Sequence, residues 1–315
     1  MVAKISMPSD VHCRERRPPV RIHRRSPKRG VLNLRCPAPK LETIKMKQCE
    51  SLKQRLASRA YLVNGYCNIP SPFVAELYAR QGWDCVTLDM EHGSIGFDSA
   101  VSMLQAIHAS GAVPLVRIPA VNSALIGALL DAGAMGITCA MIQTADQAKD
   151  LVRACKYPPQ GGRSLSRMSR AALVYGSEYH VRANSEVNVF AMIETAQGLE
   201  NLDAITAVEG IDGIYVGSVD MAMSVFGRYP PLVGEDPEIT AMVHTVIQKV
   251  ASRCAKLDLL AGMNVNNVTE AQMLLKQGFR FITFSSDLKA MMSQTRAWID
   301  GLEKISPKST AVHSK

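Results

Sequence analysis

Short apolar segments recur eight times between residues 61 and 284, and a stretch with helical spacing of its apolar residues follows each one. This alternation is typical of parallel strands that are joined by helical crossovers. We predict strands over residues 61–68, 85–88, 113–118, 135–141, 187–193, 213–216, 259–263 and 279–284. Eight such units predict the α/β class and a closed (β/α)8 barrel, the TIM barrel, which needs about 250 residues.

The predicted helices have recognisable start and stop signals. Ser71 is placed to cap a helix that runs to about Gln81, with Pro72 at its first position. A short helix around residues 52–56 precedes the first strand. Further helices are predicted over residues 98–109, 123–132, 145–156, 199–208, 237–257, 269–277 and 288–302.

Charge is distributed unevenly along the chain. Residues 1–40 contain 11 Lys/Arg and two acids, a net charge of +9, whereas the remainder contains 25 basic and 26 acidic residues, a net charge of −1. The first segment also contains six prolines and no apolar periodicity, so we predict a disordered basic tail over 1–44, a barrel over 45–305 and a disordered end over 306–315. The tail could be passive, a mitochondrial targeting segment or a polyanion-binding arm. The nearly neutral body gives no indication of nucleic-acid binding.

Membrane and disulfide classes are not expected. No apolar run approaches the roughly 18–20 residues that span a bilayer. The eight cysteines include no C-x-x-C pair, and several, such as Cys85 and Cys139, lie inside apolar strand patterns. We therefore expect buried free thiols in a reducing compartment, which favours the cytoplasm.

Two acids follow consecutive predicted strands. Glu194 comes directly after the strand over 187–193, and Asp220 lies a few residues beyond the strand over 213–216. Parallel strands of a barrel end at one rim, so these side chains should be neighbours. Mg²⁺ and Mn²⁺ bind one or two carboxylates together with water and substrate oxygens, which predicts a metal site. Helix capping by Asp220 and an ion pair for Glu194 are the alternatives.

Ionisable residues also follow the second and third strands. Asp89-x-x-His92 could form a carboxylate–imidazole pair that moves a proton near neutral pH, although a lone histidine is often structural. Arg117 could stabilise an oxyanion, or pair with Asp89 as a buried ion pair. Asp131 lies near a predicted helix C-terminus, which is unfavourable for an anion, so it has a function or is a plain surface residue.

A stretch of about 30 residues, 157–186, has no regular pattern. Long connections of this kind often serve function, so we expect an active-site lid or an oligomer contact. The alternative is a surface loop that contains a buried helical turn.

From Leu52 to about Ile305 the sequence resembles the HpcH/HpaI family of class II, metal-dependent pyruvate aldolases. Six blocks occur in the family's order, and they are Leu88–Gly93 (LDMEHG), Pro114–Arg117 (PLVR), Leu130–Ile137 (LDAGAMGI), Lys156–Ser164 (KYPPQGGRS), Ile193–Thr195 (IET) and Gly213–Asp220 (GIYVGSVD). The resemblance implies a TIM barrel with a divalent metal, Mg²⁺, Mn²⁺ or Co²⁺, and a small 2-oxo acid as substrate.

The resemblance also implies individual roles. Glu194 and Asp220 would hold the metal, which chelates the carboxylate and keto oxygens of a pyruvate unit. His92, oriented by Asp89, would govern proton transfer, and Arg117 would steady the enolate oxygen.

Other implied contacts involve the substrate carboxylate and a second subunit. Backbone N–H groups in the segment Gly217–Ser218–Val219–Asp220 would bind the pyruvate carboxylate. Asp131 would reach a neighbouring subunit's site in a homotrimer or homohexamer. Two residues depart from the family pattern: Met192 replaces a common Gln at a substrate-facing position, and Ser218 replaces a common Pro.

These implications predict a lyase that cleaves 4-hydroxy-2-oxo acids to pyruvate and an aldehyde. The same site could instead decarboxylate oxaloacetate or condense an enolate with another acceptor. A hypothesis of another class is a weakly catalytic barrel that binds polyanions through its basic tail.

Overall fold

The computed structural model describes residues 50–228 and 236–305, which form a closed barrel of eight parallel strands that pair in chain order. The predicted (β/α)8 barrel is confirmed. Its strands are β1 (Leu62–Cys67), β2 (Cys85–Asp89), β3 (Val113–Ile118), β4 (Gly136–Cys139), β5 (Asn188–Ile193), β6 (Gly213–Val216), β7 (Leu260–Val265) and β8 (Phe281–Ser286).

Helices surround the strands. They are α1 (Leu52–Ser58), α2 (Pro72–Ala79), α3 (Phe97–Ala109), α4 (Ser123–Asp131), α5 (Ala145–Cys155), α6 (Arg170–Tyr175), α7 (Tyr179–Glu186), α8 (Ala196–Glu200), α9 (Leu202–Thr206), α10 (Ser218–Phe226), α11 (Pro237–Leu257), α12 (Val268–Lys276) and α13 (Asp287–Ile305). Ser71 caps α2 by accepting a hydrogen bond from the Val74 N–H, as the sequence predicts.

Aromatic side chains fill the barrel interior. The rings of Phe190 and Phe281 stack with centroids 5.0 Å apart, and the Tyr215 ring meets Phe281 edge-on at 6.1 Å. All three side chains are almost completely buried. The barrel is therefore a packed core, and its upper rim is where side chains can meet a ligand.

Two helical regions differ from prediction. The predicted helix over 199–208 is two short helices, α8 and α9. The helix α10 was not predicted, because Gly217 alone separates it from β6 and the sequence there continues without a turn signal.

The segment 157–186 contains two helices, α6 and α7, and packs low on the flank of the barrel. The Tyr175 hydroxyl donates to the Gly133 carbonyl at 2.7 Å, and Arg170 donates to the Ala132 carbonyl at 2.8 Å. Both carbonyls precede β4, so they lie at the end of the barrel opposite the rim. The expected lid is therefore wrong, because α5 returns the chain to the lower end and β5 starts there. The alternative of a loop with buried helical turns describes this segment, and an oligomer contact stays a prediction.

Several other expectations concern the chain ends, the thiols and the membrane. The predicted tails over 1–44 and 306–315, with the proposed targeting and polyanion-binding roles, lie outside the described residues. The cysteines that the structure describes are free and buried, namely Cys67, Cys85, Cys139, Cys155 and Cys254. Over the same residues, none of the helices has the length and apolar character needed to span a bilayer.

Loss of the Tyr175 hydroxyl should weaken the attachment of α6 to the barrel. We expect Tyr175→Phe to lower the free energy of unfolding by about 1 kcal/mol, because the Gly133 carbonyl loses a buried hydrogen bond. Urea titration measures this change. Tyr61→Phe is the control, since Tyr61 is 42% exposed and should change stability by less. Equal effects of the two changes would contradict the contact.

Candidate active site

A pocket of about 380 Å³ opens at the rim of the barrel. Most of the side chains that the sequence singled out contribute to it, and the predicted residues that line it are Asp89, His92, Arg117, Met192, Gly217, Ser218, Val219 and Asp220. They come from the ends of β2, β3 and β5 and from the start of α10. The rim of the barrel is therefore the candidate active site.

Asp89 and Arg117 form a buried ion pair across β2 and β3. The Arg117 Nε donates to Asp89 Oδ1 at 2.9 Å, and Nη2 donates to Oδ2 at 2.7 Å. Asn68 Nδ2 adds a third donor to the same carboxylate at 2.7 Å. Burial opposes the charge of Asp89, but the hydrogen bonds and charge of Arg117 outweigh it and lower the pKa of Asp89. Of the two sequence alternatives for Arg117, the ion pair is present.

Arg117 also faces the pocket. Its guanidinium carbon lies 4.7 Å from the centre of the Tyr66 ring, and its Nη1 lies 3.2 Å from Glu91 Oε2. Burial opposes the positive charge, but Tyr66, Asp89 and Glu91 outweigh it and raise the pKa of Arg117. A permanent, fixed cation can therefore stabilise negative charge that develops in the pocket.

The imidazole of His92 is exposed, with a side chain that is 63% accessible. Asp89 Oδ1 accepts a hydrogen bond from the His92 backbone N–H at 3.2 Å, and the carboxylate nearest to the ring is Glu91, 3.8 Å from Nε2. The expected contact between Asp89 and the imidazole is therefore wrong. Arg117 and Asn68 already occupy the carboxylate, so Asp89 positions His92 through its main chain.

Glu194 is 1% exposed and ends β5. Its Oε1 accepts a hydrogen bond from the Met141 N–H at 2.7 Å, in a turn where Met141 has a positive φ of 58°. Burial raises the pKa of Glu194 to about 7; the Met141 bond opposes this shift, and the charges of Glu91 and Asp220 add to it. Asp220, in the first turn of α10, is thus close enough to act on Glu194 electrostatically, as expected for acids on neighbouring strands.

The Glu194 carboxylate is buried without a cationic partner among the described residues. In the part of the chain that the structure describes, no Lys, Arg or His lies within 4.0 Å of the Glu194 carboxylate. A buried carboxylate of this kind favours a cation as partner. Across residues 50–228 and 236–305, no group of three His, Cys, Asp or Glu side chains has metal-binding geometry. Any metal here would be held by two carboxylates, with water and substrate oxygens completing the shell.

Met192 and Gly217 pack against Glu194. Met192 is 4% exposed and lines the pocket, on the same strand face as Glu194. A Cβ added to Gly217 would lie 2.5 Å from Glu194 Oε2 and 2.7 Å from the Met192 methyl carbon. The Glu194 Cβ, which cannot rotate away, would also lie 2.7 Å from the added atom, so the turn after β6 needs glycine at position 217 to approach Glu194.

Asp131 lies away from the pocket. It is the last residue of α4, which runs back from the rim, and its carboxylate pairs with the buried Arg163 at 2.7 Å. Arg163 is stacked over Tyr157, 4.5 Å from the ring centre. The role of Asp131 at a neighbouring subunit's site stays a prediction.

Several pocket residues were not predicted from the sequence. Asn68 and Tyr66 come from β1 and the turn after it, and four residues come from β7, β8 and α13, namely Asn264, Ser285, Ser286 and Lys289. Their only sequence signal is their position at strand ends, because none belongs to a paired or charged motif.

Removal of the Arg117 charge should destabilise the barrel. We expect Arg117→Met to lower the free energy of unfolding by about 3–5 kcal/mol, because Asp89 would remain buried without its partner. Adding Asp89→Asn should restore part of this loss, and urea titration measures both variants.

The control is Arg80→Met, which breaks an exposed pair with Glu76 and should cost less than about 1 kcal/mol. A similarly small effect of Arg117→Met would contradict the role of the buried pair.

Comparison with known proteins identifies the family. The model of the family "HpcH/HpaI aldolase/citrate lyase" matches residues 65–293, more than half of the chain. A hydroxypyruvate/pyruvate aldolase of Rhizorhabdus wittichii is 35% identical over 232 residues, covering 74% of this chain and 90% of the relative. A 5-keto-4-deoxy-D-glucarate aldolase of Escherichia coli is 27% identical over 256 residues, covering 80% and 96%.

A solved structure agrees with these relatives. The crystal structure of an HpcH/HpaI aldolase/citrate lyase family protein from Burkholderia cenocepacia superimposes with a TM-score of 0.72 at 30% identity. The match covers 80% of this chain and 98% of the other. The resemblance inferred from the six sequence blocks is confirmed, and the chain belongs to the HpcH/HpaI aldolase/citrate lyase family.

Proposed function

We propose that this protein is a divalent-metal-dependent aldolase that cleaves 4-hydroxy-2-oxo acids to pyruvate and an aldehyde. The observation that carries the proposal is the buried Glu194, which has no cation within 4.0 Å among the described residues. Glu194 packs against Met192 and Gly217, which line the pocket together with Asp220 and the fixed cation Arg117. The relative from R. wittichii, named hydroxypyruvate/pyruvate aldolase, supports a pyruvate unit as the reacting half.

Glu194 and Asp220 would hold the metal, of which Mg²⁺, Mn²⁺ and Co²⁺ are candidates. When bound, the metal supplies Lewis-acid stabilisation of the negative charge on the oxygens of the 2-oxo acid. The Met141 N–H donates a hydrogen bond to Glu194 Oε1 and fixes the carboxylate, which leaves Oε2 for a ligand. Preorganised ligands of this kind need no rearrangement when a substrate arrives.

Cleavage requires one proton to leave and another to arrive. A base takes the proton of the C4 hydroxyl, the C3–C4 bond breaks, and its electron pair moves into the enolate of pyruvate while C4 becomes the aldehyde. A proton delivered to C3 then completes pyruvate. His92 suits this transfer, because its exposed imidazole lines the pocket and Asp89 fixes its main chain.

Charge on the enolate oxygen would be met by Arg117. Its bidentate bond to Asp89 prevents the guanidinium from moving, and its Nη1 lies on the Glu91 side of the pocket. The substrate carboxylate would be held by backbone N–H groups at the start of α10. Gly217 is the N-cap of this helix and provides no side-chain cap, which leaves those groups for a ligand.

A metal-dependence assay tests the proposal. We expect the purified protein with Mg²⁺ or Mn²⁺ to release pyruvate from 4-hydroxy-2-oxo acids, EDTA to stop the release, and added metal to restore it. Comparison with pyruvate release from oxaloacetate separates aldol cleavage from decarboxylation. Full activity in excess EDTA would contradict the metal assignment.

Matched variants of the two ligands extend this test. Glu194→Ala and Asp220→Ala should abolish the metal-dependent activity but retain the circular dichroism spectrum, because a barrel core does not depend on rim ligands. Asp146→Ala is the control, since Asp146 is an exposed acid on α5, paired with Lys149. Loss of activity in all three variants, or in none, would contradict the assignment.

Met192 allows a prediction about rate. Glutamine is similar in length and would place an amide where the thioether now lines the pocket. We expect Met192→Gln to raise turnover on simple pyruvate aldols a few-fold, as for one added hydrogen bond of about 1 kcal/mol. Initial rates of pyruvate formation measure the change in turnover. An unfolded variant would mean that Met192 is needed for packing, and a folded but slower one would mean that the thioether serves a distinct substrate.

A further inference from the structure

One wall of the rim pocket takes no part in the proposed chemistry. It is formed by Asn264 on β7, Ser285 and Ser286 on β8, and Lys289 on α13. The reacting groups described above come from β2, β3, β5 and the turn after β6. The β7–β8 wall therefore borders the space that remains for the part of a substrate beyond the broken bond.

Asn264 is exposed in a strand whose other residues are buried. It lies two residues after Gly262, on the strand face that points into the barrel, where a Cβ on Gly262 would meet Phe281 and Tyr215. Within the described residues the Asn264 amide has no hydrogen-bond partner. It can therefore donate to or accept from a ligand in the pocket.

Ser285 lies at an irregularity of the barrel. The pairing of β1 with β8 shifts between Gly65 and Tyr66, so that Tyr66 opposes Ser286 and Ser285 is the extra residue. Its φ is 44°, a conformation that residues other than glycine rarely adopt. Bulges of this kind re-aim side chains and are frequent beside active sites. The irregularity turns the serine pair toward the pocket.

Lys289 provides the positive charge of this wall. Its Nζ donates to Asn266 Oδ1 at 2.8 Å, and over residues 50–228 and 236–305 no carboxylate lies within 4.0 Å of it. The ammonium is thus held by a neutral partner and has hydrogen-bond donors to spare. Lysine donors accompanied by an amide and hydroxyls match a carboxylate.

We propose that Lys289, assisted by Asn264, is the specificity-determining residue for the aldehyde half of the substrate and selects aldehydes that carry a carboxylate. This inference rests on the proposed aldolase function. The preference for a carboxylate on the aldehyde would then come from β7 and α13 and not from the groups that perform the reaction.

The test compares two acceptors in the reverse reaction. The full-length protein with Mg²⁺ condenses pyruvate with 4-oxobutanoate or with its uncharged methyl ester, and the ratio of kcat/KM for the acid over the ester is measured. We expect Lys289→Met to lower this ratio about threefold to fivefold, as for the loss of a charge pair at an exposed site. Lys289→Arg should retain most of the preference, and Asn266→Ala should give an intermediate loss.

Lys149→Met is the control, because Lys149 is an exposed lysine of α5 outside the pocket. An unchanged ratio in Lys289→Met, or an equal fall in Lys149→Met, would overturn the proposal. Saturation-transfer NMR of 4-oxobutanoate binding gives a second readout that needs no turnover. Protein that condenses neither aldehyde, yet binds the acid through Lys289, would refute the aldolase function but not the carboxylate site; failure to bind the acid would refute the site.

Discussion

The site depends on the buried ion pair between Asp89 and Arg117. A carboxylate that is 2% exposed remains charged mainly because the guanidinium donates to both of its oxygens. The same carboxylate also accepts the backbone N–H groups of Glu91 and His92, so one ion pair fixes the turn that follows β2. The backbone of His92 and the direction of the guanidinium are therefore set together.

Glu194 has the opposite electrostatic environment at the same rim. Burial raises the pKa of Glu194 to about 7, although the Met141 N–H opposes this shift, whereas the hydrogen bonds and charge of Arg117 keep the pKa of Asp89 low in spite of burial. The charge of Asp89 is balanced by Arg117, whereas the charge of Glu194 is opposed by the neighbouring acids Glu91 and Asp220. This difference separates a structural carboxylate from one suited to an external cation.

Much of the barrel could be predicted because parallel strands are buried on both faces and read as continuous apolar runs. The bounds of β3, β6 and α11 agree with prediction. The placement of Glu194 and Asp220 at the same rim could be predicted as well, since strand ends converge there; their role as metal ligands stays a prediction. The ion pair of Asp89 with Arg117 was one of two sequence alternatives. The contact of Asn68 with the same carboxylate could not be predicted, because it depends on side-chain geometry. The helix α10 was missed because only Gly217 marks its start.

The β7–β8 wall could not be predicted from the sequence either. Its residues are Asn264, Ser285, Ser286 and Lys289, polar residues that are common on any surface, and only the bulge at Ser285 and the inward face of β7 bring them to the pocket. Groups that take part in the reaction must be ionisable and closely spaced, so they form motifs that can be recognised in the sequence. A wall that recognises the remainder of a substrate needs only a charge and a few hydrogen bonds, which different strands can supply independently. Within one barrel, the chemistry can thus stay fixed on β2 to β6 while the choice of aldehyde changes on β7 and β8.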